Sequence, residues 1–537
     1  MLDRKAVLIN CLENLLLIGF LVSLPFSIRK VITFFPPFGF TGSFNEYTDI
    51  SIFLSDILLA AFVLILIINN KEVLLSIKYN RVQMFHVEHF MYFILPLPFI
   101  LWAGLSTLWA ESFVLGWYAW VKLIEGYLLY LALILWIVPR GTINPSIQNQ
   151  KMFHVEHSEK LENKENVPRG TFLWISRINS WIEKCSTWNK WHLICVSTLV
   201  LGTFHALIGI FQVVNQRSLG MDFLKESIFS PNQEGVATVI ITGNELVRAY
   251  GVFPHPNILG GYLGATLLIT LVYTLLFHNK MLHMKHRWII RTSLFIQASG
   301  LLLTFSKSAI FAFVISMGYI FYKMFHVEHS GELEKRDNVP RGTLSLNNSS
   351  SEKSDQIVER KYIFQMFHVE HVLVLIGAIL IYGFYKAING YYFFIQPLKE
   401  RLVPLEALKN ILSHDLLTGI GLGQFVFQMQ LFIERDLWDW EYQPIHNIYL
   451  GLIAEVGIVG FALFLFTILY LFVKNVPRGT FHRPLIQGIL MYVLIIGIFD
   501  HYTLDIQQGQ FLFWFLISLV ASIIIIDKSS KVLHNYK

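Results

Sequence analysis

Histidines, arginines and asparagines grouped at the mouths of apolar stretches are the residues in this sequence best placed to do chemistry. One stretch reads Arg248-Ala-Tyr-Gly-Val-Phe-Pro-His-Pro-Asn257 and then enters an apolar run at Ile258-Leu-Gly-Gly-Tyr. Prolines on both sides of His255 restrict the backbone and favour a fixed turn over helical continuation. A helix starting there offers unpaired N–H groups to an anion, and Arg248 stands beside them. The plainer alternative is a capped helix entrance with a solvated arginine.

A second stretch holds Arg401-Leu-Val-Pro-Leu-Glu-Ala-Leu-Lys-Asn-Ile and then His414-Asp-Leu-Leu-Thr-Gly419-Ile-Gly421-Leu-Gly423-Gln-Phe425. It closes on Pro444-Ile-His446-Asn447-Ile-Tyr-Leu450, followed by Glu455-Val-Gly-Ile-Val-Gly460. Alternate glycines permit close backbone approach. They are not a phosphate-binding P-loop, because no Gly-Lys-Ser/Thr follows. His446 stands at the boundary of an apolar run, wet enough to titrate yet held by packing. An unperturbed pKa near about 6.5 would make it a proton acceptor around neutral pH. A capping or interfacial histidine is the alternative.

The elements that must carry these residues follow from composition. Of 537 residues 54% are hydrophobic and only 15% charged, more apolar and less charged than a soluble domain can hide. Long apolar stretches recur from end to end, which predicts an all-α polytopic transmembrane bundle of about twelve spans in a single membrane domain. Span starts are expected near Ala6, Ser51, Phe90, Phe113, His192, Ile258, Trp288, Ala309, Val372, Ile448, Leu485 and Gln510. Arg4 and Lys5 precede the first run, which lacks a small-residue cleavage site and reads as a retained span. The net charge of +5 does not imply nucleic acid, since in a membrane protein the placement of Lys and Arg matters more than their sum. Cys11, Cys185 and Cys195 have no metal-ligand spacing and no framework of pairs.

With both termini cytoplasmic, the basic connections Lys71 to Arg81, His278 to Arg287 and Lys474 to Arg483 all fall inside, as the positive-inside bias requires. The same arrangement puts two long segments outside, Asn215 to Asn257 and Asn389 to Asn447, which hold the chemical motifs.

Two peptides repeat. Met-Phe-His-Val-Glu-His occurs at Met84, Met152, Met324 and Met366, and Val-Pro-Arg-Gly-Thr at Val138, Val167, Val339 and Val476. His86 and His89 could put two imidazoles on one helical face beside Glu88, as a metal site would. One DNA word accounts for both peptides more simply. ATG TTC CAC GTG GAA CAT is its own reverse complement, and a second frame of it encodes Val-Pro-Arg-Gly-Thr. The third frame gives Cys-Ser-Thr-Trp-Asn, present at Cys185 to Asn189. The word resembles the centromere-like site bound by chromosome-partition proteins. Residues 138–190 and 324–371 therefore read as repeat-derived cytoplasmic insertions, in exposed connections that tolerate them, and not as a metal site.

The pattern Arg-x-x-Gly-x-Phe-x-His-Pro-Asn, then Gly-x-Gly-x-Gly-x-Phe, then His-Asn-x-Tyr-Leu with Glu-x-Gly-x-x-Gly resembles the O-antigen ligase and polymerase family of membrane glycosyltransferases. Thr304-Phe-Ser-Lys-Ser308 and Phe499-Asp-His-Tyr502 extend the likeness. Lys307 departs from it, standing where many relatives have arginine, so charge is kept and bidentate geometry lost. The resemblance implies transfer of a glycan from a polyprenyl-diphosphate carrier to an acceptor hydroxyl at the outer face of the cytoplasmic membrane. It implies Arg248 and Arg401 at the leaving diphosphate and His446 as proton acceptor. His255, Asn257, Gly421, Gly423, Asn447 and Lys307 would bind substrate, with no cofactor and no metal, although Asp436 and Asp439 merit attention. The partners would be the glycan donor, a glycan or lipid acceptor and membrane lipids. Ligase and polymerase stay open, as does the alternative of a polysaccharide or lipid-linked oligosaccharide transporter, which would place ionisable residues near the bilayer midplane.

Overall fold

A computed structural model describes residues 4–71, 87–138, 190–231, 233, 235–241, 243–281, 284–337, 401–473 and 482–535. In lipid the backbone must satisfy its own polar groups, so the apolar runs fold as helices. Among the described residues six are long and apolar enough to cross a membrane: Met91–Trp109, Phe113–Ile137, Lys190–Asn215, Pro256–Thr274, Ile448–Val473 and Gln507–Ile526. Shorter apolar helices cover Val7–Ser23, Leu54–Asn69, Trp288–Leu303 and Pro484–Phe499. By length and composition this is a helical membrane protein.

In chain order the helices are α1 (Arg4–Ser23), α2 (Leu54–Asn69), α3 (Val87–Ile94), α4 (Leu97–Ser106), α5 (Phe113–Ile137) and α6 (Lys190–Asn215). They continue as α7 (Pro256–Met281), α8 (Met284–Leu303), α9 (Lys307–Asp337), α10 (Leu402–Asp415), α11 (Ile448–Val473), α12 (His482–Phe499), α13 (Tyr502–Asp505) and α14 (Gln507–Asn535). The starts expected at Phe113 and Ile448 coincide with helix starts, and most of the others lie within a turn of one. Ser51 instead lies in a strand, and the span near Val372 falls outside the described residues. So do most of the repeat copies, while α9 continues through the copy at Met324 as far as Asp337.

Two short strand pairs stand beside the helices that the sequence predicted. β1 (Arg29–Phe34) pairs antiparallel with β2 (Asp49–Phe53), and β3 (Thr238–Ile241) with β4 (Asn244–Val247). β2 (Asp-Ile-Ser-Ile-Phe) alternates in residue type and burial, a pattern of period two, while β1 and β3 carry runs of β-branched residues suited to extended backbone. Both hairpins lie at one end of the bundle, together with the connections 107–112, 304–306, 401–447 and 500–506. Bonds from side chain to main chain and between main chains tie this end together. Phe38 N–H donates to the Phe427 carbonyl (3.1 Å), Ala249 N–H to Leu303 (3.0 Å), and Leu422 N–H to Ser106 Oγ (3.1 Å). At the opposite end α1 meets α2 through Asn10 and Asn69 (3.1 Å), and Gln487 of α12 donates to the Phe472 carbonyl of α11 (3.4 Å). Nearly every residue of α14 from Gln507 to Ile526 is buried, so it forms the centre of the bundle.

α11 is interrupted at Gly457, whose φ of 69° and ψ of −179° only glycine adopts readily. The break releases main-chain acceptors to the glycine-rich stretch beside it. Ile420 N–H donates to the Ala454 carbonyl (3.0 Å), Gly421 N–H to Glu455 (2.8 Å), and Ile458 N–H to Leu416 (2.9 Å). The Trp102 indole takes up the Val456 carbonyl at 2.8 Å. A Cβ at position 457 would lie 2.1 Å from the Leu417 oxygen. Gly457→Ala is therefore expected to lose about 1–3 kcal/mol, read as a lower denaturation midpoint in detergent. Gly451→Ala in the same helix, with open space around it, should leave the midpoint in place.

Candidate functional site

The bonded end of the bundle gathers the charged and aromatic residues of five connections. Arg248 leaves β4 half-buried, its Nε–H donating to the Thr304 carbonyl (2.7 Å) and an Nη2–H to Asn257 Oδ1 (2.6 Å). Asn257, on the first turn of α7, passes the link on, donating from Nδ2 to Asp500 Oδ2 at 2.8 Å. The Asp500 carboxylate is buried and also receives Ser308 Oγ at 3.5 Å. Asn257 N–H donates to His255 Nδ1 (3.1 Å), so the turn expected from the two prolines fixes the imidazole against its own helix start.

Arg401 caps α10, whose Pro404, Ala407, Leu408 and Ile411 are buried, alongside Phe425 and Met429. From there its positive charge acts on His446, Asp500 and Lys307. Lys307, exposed at the start of α9, feels Arg248 as well. The two arginines, although far apart in sequence, thus both act on Lys307 and Asp500.

His446 meets His501 edge to face with ring centroids 4.8 Å apart, and His501 meets Tyr47 in the same way at 5.6 Å. Burial, then His501, Arg401 and His255, lower the His446 pKa to about 2, with an opposing effect from the Pro444 backbone. Its Nδ1 is buried without a hydrogen-bond partner among the described residues. These surroundings hold His446 well below the ordinary imidazole range, where the sequence alone had it titrating near neutrality. Burial, Arg248 and His501 likewise lower His255 to about 3. Burial lowers Arg248 to about 10, still a cation at neutral pH, with Tyr250 and Asp500 opposing the shift.

His501 behaves differently. Burial opposes its charging, but Asp505, Asp500 and Glu46 outweigh that and raise its pKa. Burial also raises Asp500 and Glu46, against His501 and Arg401 at the first and Arg29 and His501 at the second.

Other expected site residues are committed to the fold. Gly421 N–H and Gly423 N–H are both taken by Glu455, the first by its carbonyl and the second by its carboxylate at 2.9 Å. Their amides are therefore not open donors for a phosphate. Asn447 caps α11 through the amides of Tyr449 and Leu450 (3.0 Å each) and donates to the Ile498 carbonyl of α12 at 3.0 Å, so it joins two helices. Asp439 receives both the amide and the hydroxyl of Thr41, and no group of acidic, His or Cys side chains suited to a metal occurs among the described residues.

Glu46, Tyr47 and Asp505 are absent from the residues singled out in the sequence, and Asp500 and His501 entered only as part of the Phe499-Asp-His-Tyr502 motif, with no role assigned. An Asp-His pair between two apolar runs was the available signal, because ionisable residues at membrane boundaries are costly unless they have a role. Compared with known proteins, the chain matches no family model and no curated protein.

Histidine NMR checks the electrostatics. His446 should remain neutral from pH 5 to 8, where an unperturbed imidazole titrates near about 6.5. A His446 signal titrating through that range would show that water solvates the ring far better than its packing implies.

Proposed function

We propose that this protein transfers a glycan from a polyprenyl-diphosphate carrier to an acceptor hydroxyl at the outer face of the cytoplasmic membrane, as a surface-polysaccharide ligase or polymerase. The observation that carries this reading is the grouping of Arg248, Arg401 and Lys307 around neutral His446 and His255. Three cations from separate segments suit a compact anion with more than one charge, and a diphosphate leaving group is such an anion. Donors aimed at charge that develops in the transition state lower the barrier for its departure. The imidazoles and Asn257 would orient the acceptor and the sugar.

Chain order supports the twelve-span arrangement. α9 starts at the charged end at Lys307, and Arg401 at the start of α10 stands at that same end, as the twelve-span arrangement requires. Both described termini then belong to the opposite end, where this reading puts the cytoplasmic side. Outside the cytoplasm no nucleotide sugar is at hand, so the donor must arrive already activated on lipid.

A second reading, translocation of a lipid-linked oligosaccharide, draws on one observation. Lys122 of α5 pairs with Asp56 of α2 (2.5 Å) and Glu125 (3.0 Å) inside the bundle, and ionisable groups within helices are characteristic of transport paths.

The test is product formation by purified protein in vesicles carrying a polyprenyl-diphosphate glycan and an acceptor. Transfer with release of polyprenyl diphosphate is expected, and Arg248→Ala or Arg401→Ala should slow it about 100- to 1,000-fold. Arg401→Lys should fall between, keeping charge and losing the planar fork. Unchanged transfer by both alanine variants would remove the arginines from the reaction, and flipping without transfer would favour the second reading.

A further inference from the structure

Glycan transfer to a hydroxyl requires a group that takes the hydroxyl proton, and His446 is poorly suited because its surroundings depress its basicity. The neighbouring His501 is better equipped. Asp505, four residues on, sets both carboxylate oxygens 2.9 Å from His501 Nδ1 across the single turn of α13. That contact makes Nδ1 the protonated nitrogen and leaves the lone pair on Nε2. Asp500 fixes the residue from the other side: its Oδ1 accepts the His501 amide (3.1 Å), and its Oδ2 accepts Asn257, the partner of Arg248. The same carboxylate therefore anchors the histidine and the guanidinium.

We propose that His501, oriented by Asp505, is the group that accepts the hydroxyl proton, with His446 beside it as a neutral positioning residue. This rests on the glycan-transfer reading above. In the step, the acceptor oxygen bonds to the anomeric carbon as its proton passes to His501 Nε2. The bond from that carbon to the phosphate oxygen breaks, and its electron pair leaves on the polyprenyl diphosphate, facing Arg248, Lys307 and Arg401. The imidazolium is held by Asp505 and returns its proton to water once product departs.

The charges around His501 agree with this assignment. Asp505, Asp500 and Glu46 favour its protonated form, outweighing burial, while His446, His255 and Tyr47 face it as neutral groups. Arg248, Lys307 and Arg401 thus supply the cations of the cluster, and Asp500 and Asp505 both hydrogen-bond His501.

The test is the pH profile of kcat/KM with a polyprenyl-diphosphate glycan donor, for the wild type and for Asp505→Asn. A base must be unprotonated, so the rate falls as pH drops through its pKa. Losing Asp505 lowers that pKa, so the acidic limb should move to lower pH while the plateau rate drops about 100- to 10,000-fold. Asp505→Glu, which keeps the carboxylate, should retain the limb near its wild-type position. His501→Gln should abolish turnover while donor binding persists. An acidic limb unmoved in Asp505→Asn, or a limb lost in His446→Gln and kept in His501→Gln, would overturn the assignment to His501 with glycan transfer intact. A wild type that forms no product at any pH would overturn the transfer reading, and the base assignment with it.

Discussion

A buried carboxylate without a cation or donors around it is too costly to persist, and Asp500 is such a group. Its partners come from several segments: the amide of His501, the side chain of Asn257 and, through Asn257, the guanidinium of Arg248, with Arg401 acting on it from α10. This need joins the entrance of α7 to the exit of α12 and holds the exit of β4 above them. Burial first, and then His501 with Arg401 at one ring and Arg248 with His501 at the other, depress His446 and His255, while Asp505 and after it Asp500 raise His501 against its burial. Two imidazoles of one cluster are thereby kept neutral, and the third is left the more basic.

Backbone supply is the second constraint. A membrane helix can break only where other groups take up the freed carbonyls, and α11 breaks at Gly457 against the 416–425 stretch, with indoles of Trp102 and Trp109 closing the remaining acceptors. The alternating glycines serve this docking. Glu455 finishes it by accepting Gly423 and Phe425, so a motif that looks like an anion cradle is the hinge that seats α10 and Arg401.

Much of the helical framework was legible because the apolar runs are long and their boundaries carry Pro, Asn or charged residues. The strand at Ser51 was not, since its Ile and Phe residues merge without a break into the apolar run of α2. Arg248, Asn257 and His446 were visible as polar residues at helix mouths, and the structure groups them with Arg401. The pKa shifts of Arg248 and His446 were not visible, because they come first from burial and then from neighbours that only the fold brings close. His501 was quoted in the Phe499-Asp-His-Tyr502 motif without a role, because its Asp505 partner looks like an ordinary surface acid until a single helical turn brings the two together. Gly421 and Gly423 misled because close backbone approach serves packing as readily as ligand binding.

A double-mutant cycle on polyprenyl diphosphate binding tests most directly whether the two distant arginine segments hold one anion. Dissociation constants are needed for the wild type, Arg248→Ala, Arg401→Ala and the double variant. If both guanidiniums face the same diphosphate, the losses are non-additive by more than about 0.5 kcal/mol. Strictly additive losses, or binding indifferent to either arginine, would mean that the segments do not share a ligand and would contradict the site described here.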